Sequence, residues 1–321
     1  MTRYCYRHYG LTLDSNQALP QLAAAPSITA DVTVEVLEPG ARSETELPWV
    51  NTSPEAAISR ADTLGGTWLR LRYWLNDDWA EFVVDPSGSS VTIARTSNVL
   101  LEEVTELLIG PVFSCLASQR GLTCVHAAVV RVSSRTIALA GGSGAGKSTT
   151  ALALVQRGGV LVSDDVAVLS PAEGGIAAAA GAPRIRMRPD SAGLLTGSFD
   201  SLVPLWADGR PAPTKRYLRL DPEPRTRDEP HPLDAIYFLA PWTEQAREPS
   251  IVPLSPARTL TKLMAHRHMA DAIHPDAHQR DFAILAQLAE TVSASEVIRP
   301  AGLDTTDQTV AAVLDDVRNL A

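Results

Sequence analysis

A glycine-rich segment near the middle of the chain constrains its fold more than any other feature. Residues 141–148 read GGSGAGKS and match the pattern G-x-x-x-x-G-K-[ST]. The apolar run 136–140 precedes the segment, and a helix-forming run follows it until Gly158 and Gly159. In this order of strand, loop and helix, successive backbone N–H groups turn inward around phosphate oxygens, and the helix N-terminus adds partial positive charge. The sequence therefore predicts an α/β fold with a phosphate-binding loop.

We expect this loop to bind the phosphates of ATP, with GTP as a possible alternative. Lys147 would reach the terminal phosphates, and the Ser148 hydroxyl would hold Mg²⁺. The chain has three lysines among its 28 basic residues, so a lysine at the position that the loop requires is informative. The candidate nucleotide-binding residues are Gly141, Gly142, Ser143, Gly144, Ala145, Gly146, Lys147, Ser148 and Thr149.

A pair of carboxylates follows the loop at a short distance. Asp164 lies seventeen positions after Lys147, and Asp165 is next to it. A helix of about ten residues rises about 15 Å, and we expect residues 160–163 to return as a neighbouring parallel strand. The pair would then lie at the carboxyl end of that strand, beside the loop. One carboxylate can hold the metal while the other accepts the proton of an attacking hydroxyl; the alternative is two acids in a solvated turn.

Composition limits the class of protein. The 321 residues are 45% hydrophobic and 20% charged, which is typical of a soluble protein of about two domains. The net charge of −9 argues against a general nucleic-acid binder. The N-terminus has no apolar core segment and no run approaches the length of a membrane span, so we expect a cytoplasmic protein without a membrane partner. Cys5, Cys115 and Cys124 lack metal-ligand spacing and are expected to be reduced thiols.

A β-rich segment is predicted before the phosphate loop. Residues 67–95 read as a three-stranded meander, because alternating runs are separated by polar turns. Residues 99–118 have apolar side chains at helical spacing, and Pro111 should kink or split that helix. We therefore expect a β-rich N-terminal domain over residues 1–98, with a possible substrate or oligomer role, and a phosphate-loop domain over residues 99–321.

A histidine precedes the loop on a predicted strand. Residues 123–140 read as two strands joined at Ser133 and Ser134, and His126 lies on the first of them. On spacing alone, a single histidine in an apolar strand is more often a hydrogen-bonded core residue than a catalytic one.

The segment HAAVVRVSSRTIALAGGSGAGKSTTALALVQRGGVLVSDDVAVL resembles the core of the HPr serine kinase/phosphorylase family. That family has a histidine ahead of the loop, the loop itself, a short helix that ends in an R-G pair, and a close aspartate pair. The resemblance implies a P-loop kinase domain of the HPr-kinase C-terminal type. In such a domain Lys147 contacts the phosphates, Ser148 binds Mg²⁺, Asp164 is the catalytic base, and His126 orients that acid. A weaker similarity extends over IVPLSPARTLTKLMAH, residues 251–266.

One family signature is absent from this sequence. The bacterial family carries E-I-R-G-L-G-I, which includes a metal-binding glutamate, where this chain reads RIRMRPDSAGL. Arg188 stands where that acid would be, so Asp165 or Asp190 is the alternative second metal ligand. Phosphorylase activity, and HPr itself as the substrate, therefore stay open.

The opening segment resembles a more specific group. YRHYGLTLDSNQALPQL, residues 6–22, is similar to the start of HPr-kinase-like proteins of lasso-peptide and related ribosomal-peptide biosynthesis. Those proteins phosphorylate a serine of a precursor peptide, in the known cases the C-terminal one. The resemblance implies ATP- and Mg²⁺-dependent phosphorylation of a peptide serine. Whether the protein forms a homo-oligomer stays open. Two alternatives remain: a related kinase of a small metabolite or carrier protein, and a non-catalytic nucleotide-binding regulatory module.

Two basic features could bind the substrate or its phosphate. Arg184, Arg186 and Arg188 alternate along a predicted strand, which puts them on one face. Lys215 and Arg216 follow a Pro-rich loop that could close over the site. An arginine-rich chain also scatters arginines over exposed faces, so the stripe could equally be surface. The candidate clamp is Lys215, Arg216, Arg186 and Arg188.

Four histidines near the C-terminal end invite a metal interpretation. His266 and His268 do not share a helical face, and Pro275 interrupts the pair His274 and His278. We therefore expect no metal site among these four residues.

Overall fold

The computed structural model describes residues 2–26, 29–43, 46–52, 58–207, 215–220, 229–270 and 275–320. The predicted Pro-rich loop before Lys215, and His274, lie outside these ranges. Among the described residues, no helix is both long and apolar enough to cross a membrane. The chain divides into two compact units, Met1–Leu122 with Leu205–Pro213 and Met269–Gln279, and Thr123–Pro204 with Thr214–His268 and Arg280–Ala321.

The first unit is built on one nine-stranded sheet, in the order β3-β1-β2-β4-β9-β8-β7-β6-β5. Its strands are β1 (Tyr4–His8), β2 (Leu11–Ser15), β3 (Ala23–Ala24), β4 (Val32–Val36), β5 (Val50–Asn51), β6 (Ile58–Thr63), β7 (Gly66–Leu75), β8 (Asp78–Val84) and β9 (Ser90–Arg95). The predicted meander is confirmed: β7, β8 and β9 pair antiparallel in sequence order. The tight turn between β7 and β8 uses Asn76 with a φ of 61°, a left-handed conformation that asparagine tolerates.

The helical segment of this unit is interrupted at Pro111, as the sequence predicts. Helix α1 (Leu101–Leu107) runs into a π-helical turn (Leu108–Val112), which is followed by α2 (Phe113–Gln119). Proline cannot donate the backbone hydrogen bond that an α-helix needs, and the wider turn accommodates it.

The division of the chain falls at Leu122 and not at residue 98, where we expected it. The helical segment belongs with the N-terminal strands because direct hydrogen bonds join the two. The His8 imidazole lies 3.1 Å from the Ile109 carbonyl, and the Gln119 amide donates to the Thr67 carbonyl at 2.6 Å.

Among its described residues, the second unit contains three sheets. The six-stranded sheet has the order β13-β11-β12-β20-β22-β21, a four-stranded sheet has the order β10-β14-β15-β19, and a small one has the order β16-β18-β17. The strands are β10 (Thr123–Val125), β11 (Ala127–Val132), β12 (Arg135–Ala140), β13 (Val160–Ser163), β14 (Ala167–Ala172), β15 (Gly175–Ala178), β16 (Arg184–Met187), β17 (Val203–Pro204), β18 (Arg216–Arg219), β19 (His231–Pro232), β20 (Ala235–Leu239), β21 (Ser250–Pro253) and β22 (Ser293–Ile298). The helices are α3 (Lys147–Val155), α4 (Pro189–Thr196), α5 (Pro256–Ala265), α6 (Pro275–Thr291) and α7 (Thr306–Arg318).

Strand β12 is buried on both faces, which explains its continuous apolar sequence. Ile137 and Leu139 pack in a cluster with residues of α3 and α7. Ala138 and Ala140 face a second cluster that includes residues of α5 and α6. The sheet is therefore covered by helices on both sides, and the phosphate loop leaves it at the carboxyl end of β12.

One expectation about this sheet is wrong. We expected β13 to be the neighbouring parallel strand of β12, but β11 lies between them and pairs antiparallel with both. Strand β13 therefore runs parallel to β12 from one position further away. The antiparallel hairpin of β11 and β12 turns at Ser133 and Ser134, as predicted, and it fills the intervening position.

Candidate active site

The glycine-rich loop adopts backbone conformations that favour glycine. Gly141, Gly144 and Gly146 have φ angles of 151°, 79° and 84°, a region that favours glycine. A Cβ atom at Gly141 would lie 2.9 Å from the Leu239 carbonyl oxygen, so a larger residue there would force the loop to shift. Helix α3 begins directly after the loop at Lys147, and its N-terminal N–H groups add to those of the loop.

The Lys147 side chain is buried within this loop. Its Nζ donates to the carbonyl oxygens of Gly141 at 2.9 Å and Gly142 at 3.1 Å. Burial lowers the pKa of Lys147, while the two aspartates act in the opposite direction. The ammonium therefore lies at the mouth of the loop with backbone acceptors that hold it in position.

Asp164 is engaged by hydrogen-bond donors on both carboxylate oxygens. The Ser148 hydroxyl donates to Oδ1 at 2.8 Å, and the backbone N–H of Arg186 donates to Oδ2 at 3.0 Å. Burial raises the pKa of Asp164, and the charge of Asp165 raises it further. A hydroxyl and a carboxylate side by side are oxygen ligands of the kind that Mg²⁺ prefers, so this pair fits a magnesium ion.

His126 contacts Asp165 and not Asp164, which corrects the expected pairing. Its Nδ1 lies 2.8 Å from the backbone oxygen of Asp165 and 3.7 Å from the carboxylate Oδ1. His126 occupies the point where the chain leaves β10 in one sheet and enters β11 in another. Because β13 pairs with β11, its carboxyl end brings the second aspartate beside this histidine.

Asp165 has a charged partner for its carboxylate and an unusual backbone conformation. Nη1 of Arg186 donates to Oδ2 at 3.0 Å. Burial alone would raise the pKa of Asp165, but Arg186 and His126 lower it to about 2. The residue also has a φ of 102°, which is rare for a non-glycine residue and typical of strained positions at functional sites. Asp165 is therefore ionised at neutral pH and fixed in position.

His268 lies in the same cluster, although the sequence analysis considered this histidine and expected no metal site there. A short backbone pairing brings it there: His126 N–H donates to the His266 carbonyl at 2.7 Å, and His268 N–H donates to the Cys124 carbonyl at 2.8 Å. Ligating atoms of His126, Asp165 and His268 all lie within 4.8 Å of one another, so the three residues could hold a metal ion. Burial lowers the pKa of His268 to about 4. No sequence motif signals this pairing, because its partners are some 140 positions apart.

Several of these groups, among them His126, Lys147 and Asp165, line one cavity of about 390 Å³, whereas His268 is not among its described lining residues. Its lining is predominantly polar and includes most of the predicted site: His126, Ser143, Gly144, Gly146, Lys147, Ser148, Thr149, Asp165, Arg186, Arg188, Asp190, Ser191, Lys215, Trp242 and Gly302. Asp164 is not among the described lining residues.

The structure brings only part of the predicted basic clamp to this cavity. Arg186, Arg188 and Lys215 line it. Arg216 does not, because its guanidinium donates to the Asp200 carbonyl at 2.9 Å and pairs with the Asp200 carboxylate at 3.3 Å. Arg184, on the same strand as Arg186, is buried against the Tyr217 ring.

A comparison with known proteins finds a family match for the segment that contains His126, the glycine-rich loop and the two aspartates. Residues 117–184 match the family model of the HPr Serine kinase C-terminal domain. The match supports an HPr-kinase-like segment and a kinase-type phosphotransferase. No curated protein matches the chain. Among solved structures, the Hpr(Ser) kinase/phosphatase from Coxiella burnetii is similar over 61% of this chain and 88% of its own, with 15% identity and a TM-score of 0.30. A similarity of this size says nothing about activity or substrate.

Proposed function

We propose that this chain is an ATP- and Mg²⁺-dependent kinase that phosphorylates a serine hydroxyl on a peptide, of the ribosomally made precursor type. The observation that carries the proposal is the convergence of three parts in one cavity. These are the phosphate loop with Lys147, the Ser148 hydroxyl bonded to Asp164, and the Asp165 carboxylate held by Arg186. A regulatory ATP-binding module needs the first two parts but not the third.

The loop and its lysine bind the phosphates of ATP. The backbone N–H groups of residues 141–146 and the N-terminus of α3 surround phosphate oxygens, and Lys147 neutralises charge on the transferred group. Ser148 and Asp164 would hold Mg²⁺. The metal supplies charge neutralisation between the terminal phosphates when it is bound.

Asp165 is the better candidate for the base, which reverses the roles that the resemblance implies. Asp165 lines the cavity. Arg186 donates to its Oδ2, so we assign its Oδ1 as the oxygen that accepts the serine proton. In the reaction the serine oxygen bonds to the terminal phosphorus as the bond to the ADP oxygen breaks, and the serine proton passes to Asp165. His126 holds the backbone of this aspartate and acts as a positioning residue.

A peptide acceptor rests on the resemblance of residues 6–22 and on the charge of the cavity. Arg188 and Lys215 line the same cavity as Asp165, and their cationic groups suit a carboxylate such as that of a C-terminal serine. The acceptor hydroxyl and this carboxylate belong to one residue, so both groups can be bound at once.

The test is phosphate transfer from γ-labelled ATP to short peptides by the full chain, with mass spectrometry to locate the phosphate. A peptide that ends in serine should be labelled in the presence of Mg²⁺ and not in the presence of EDTA. Matched controls are the same peptide with a C-terminal alanine, the same peptide with a C-terminal amide, and the Lys147→Ala variant. Transfer to small hydroxylated metabolites but to no peptide would refute the peptide acceptor and leave the kinase.

A further inference from the structure

The strand order of the six-stranded sheet indicates on which side of the loop the base of a bound nucleotide would lie. The phosphate loop follows β12, and the groups assigned to phosphoryl transfer lie on its β11 and β13 side. On the other side, β20 and β22 run parallel to β12, so their carboxyl ends reach the same edge of the sheet. The loops that follow these two strands contribute Trp242 and Gly302 to the cavity. A nucleotide with its terminal phosphate at Asp165 therefore extends toward Trp242.

The Trp242 ring is fixed from one face by a buried cation. The Arg299 guanidinium carbon lies 4.4 Å from the ring centroid, and this side chain is only 1% exposed. Its Nη2 donates to the carbonyls of Ala145 at 2.7 Å and Ala240 at 2.8 Å. Burial lowers the pKa of Arg299 to about 10, so the group stays charged at neutral pH and the cation–π contact persists.

The loops on this side are also tied to each other and to the phosphate loop. Thr243 N–H donates to the Arg299 carbonyl at 3.1 Å, and Ala301 N–H donates to the Thr243 carbonyl at 3.0 Å. A Cβ atom at Gly146 would lie 3.6 Å from the Trp242 ring, which brings the indole to the last glycine of the phosphate loop. Trp242 is therefore a rigid aromatic surface next to the last glycine of the glycine-rich loop.

We propose that Trp242, held by Arg299, is the platform on which the nucleotide base stacks. This inference rests on the proposed function and specifies its nucleotide. Stacking on an aromatic ring tolerates any base, since every base has a π-face. Among the described lining residues, the loops after β20 and β22 contribute Trp242 and Gly302, and neither has a side-chain hydrogen-bond acceptor for the base edge. The enzyme therefore binds ATP and GTP with similar affinity.

The experiment compares dissociation constants of ATP, GTP and inorganic tripolyphosphate with Mg²⁺, by calorimetry on the full chain. Trp242→Ala should weaken ATP and GTP alike, on the order of 5- to 150-fold for the loss of one base–aromatic stack. Tripolyphosphate has no base, so its affinity should not change. Trp242→Phe should restore most of the nucleotide affinity. The matched control is Trp74→Ala, which removes a 62% exposed tryptophan of the other unit.

Three results would overturn the platform while the proposed function stands. The first is unchanged ATP affinity in Trp242→Ala. The second is an equal loss of tripolyphosphate affinity in that variant, which would mean that Trp242 only supports the loop. The third is a wild-type preference of more than about tenfold for one purine, which requires hydrogen-bond readout of the base edge. A wild-type chain that binds tripolyphosphate but neither nucleotide would refute both the platform and the ATP dependence of the proposed function. A chain that binds none of the three would refute the phosphate site itself, and with it the proposed function. Thermal melting of each variant checks that it is folded.

Discussion

On the β11 and β13 side of the phosphate loop the cavity wall consists of charged and titratable groups, whereas on the β20 and β22 side it consists of an indole and a glycine. The first side positions its groups through hydrogen bonds to backbone, as in the contact of His126 with the Asp165 carbonyl. The second positions its ring through a buried arginine. Both sides use strand ends at the same edge of one sheet. Under the proposed function, one edge of the sheet separates the chemical step from recognition of the nucleotide, so each can be tested alone.

Loss of Lys147 should have the largest effect, because both sides depend on the phosphates that it binds. We expect Lys147→Ala to lower single-turnover phosphate transfer by on the order of 10³- to 10⁵-fold, the range seen when a cation is removed from a transferring phosphoryl group. Binding of ATP and of tripolyphosphate should weaken together. Transfer at the wild-type rate would remove the loop from the active site.

Substitution of the two aspartates on the β11 and β13 side should have different effects. Asp165→Asn should reduce turnover by about 10²- to 10⁴-fold with nearly unchanged affinity for Mg²⁺ and ATP, because an amide has the same shape but does not accept the proton. Asp164→Asn should instead raise the Mg²⁺ concentration required for ATP binding.

Titration of ATP binding with Mg²⁺, alongside single-turnover transfer, distinguishes the two variants. If Asp165→Asn loses the metal and Asp164→Asn loses only turnover, the assignment of base and ligand must be exchanged.

His126 should have a smaller effect, since it acts through Asp165. We expect His126→Ala to lower turnover by about 10²-fold, the cost of a small misplacement of a catalytic group, without changing the ratio of ATP to tripolyphosphate affinity. His126→Asn should recover part of the rate, because its amide N–H can occupy the position of Nδ1–H. A purely structural histidine would give a different result: stability lower by about 1–3 kcal/mol and normal turnover in the folded fraction.

The smallest predicted effect concerns stability and pH. The folded pKa of His268 is about 4, below its ordinary 6.5, so between these values the unfolded chain binds more protons at this residue. The free energy of unfolding should therefore rise with pH across this window, and His268→Gln should flatten that rise by about 1–3 kcal/mol. Urea unfolding at pH 4.5 and pH 7, with EDTA present, measures the difference. An identical pH dependence in the variant would show that His268 is not held neutral by burial.

The order of strand, glycine-rich loop and helix around residues 141–148, the meander of β7 to β9 and the break at Pro111 were predictable because each depends on neighbours in the sequence. The spacing of glycines and the position of one proline specify local backbone geometry. The elements that local geometry determines therefore agree with the structure.

The partner of His126 and the presence of His268 could not be predicted in this way. Both depend on pairing between distant strands: β13 adds beside β11 instead of β12, and residues 124–126 pair with 266–268. The same limit applies to Trp242 and Arg299, which carry no motif.

The hydrogen bond from Arg299 to the Ala145 carbonyl joins positions that are 154 residues apart. Strand β22, which precedes this arginine, enters the sheet between β20 and β21. During synthesis on the ribosome, the glycine-rich loop therefore emerges long before the residue that ties its backbone. The hydrogen bond that holds the loop at Ala145 therefore forms only after β22 and Arg299 have been added to the chain.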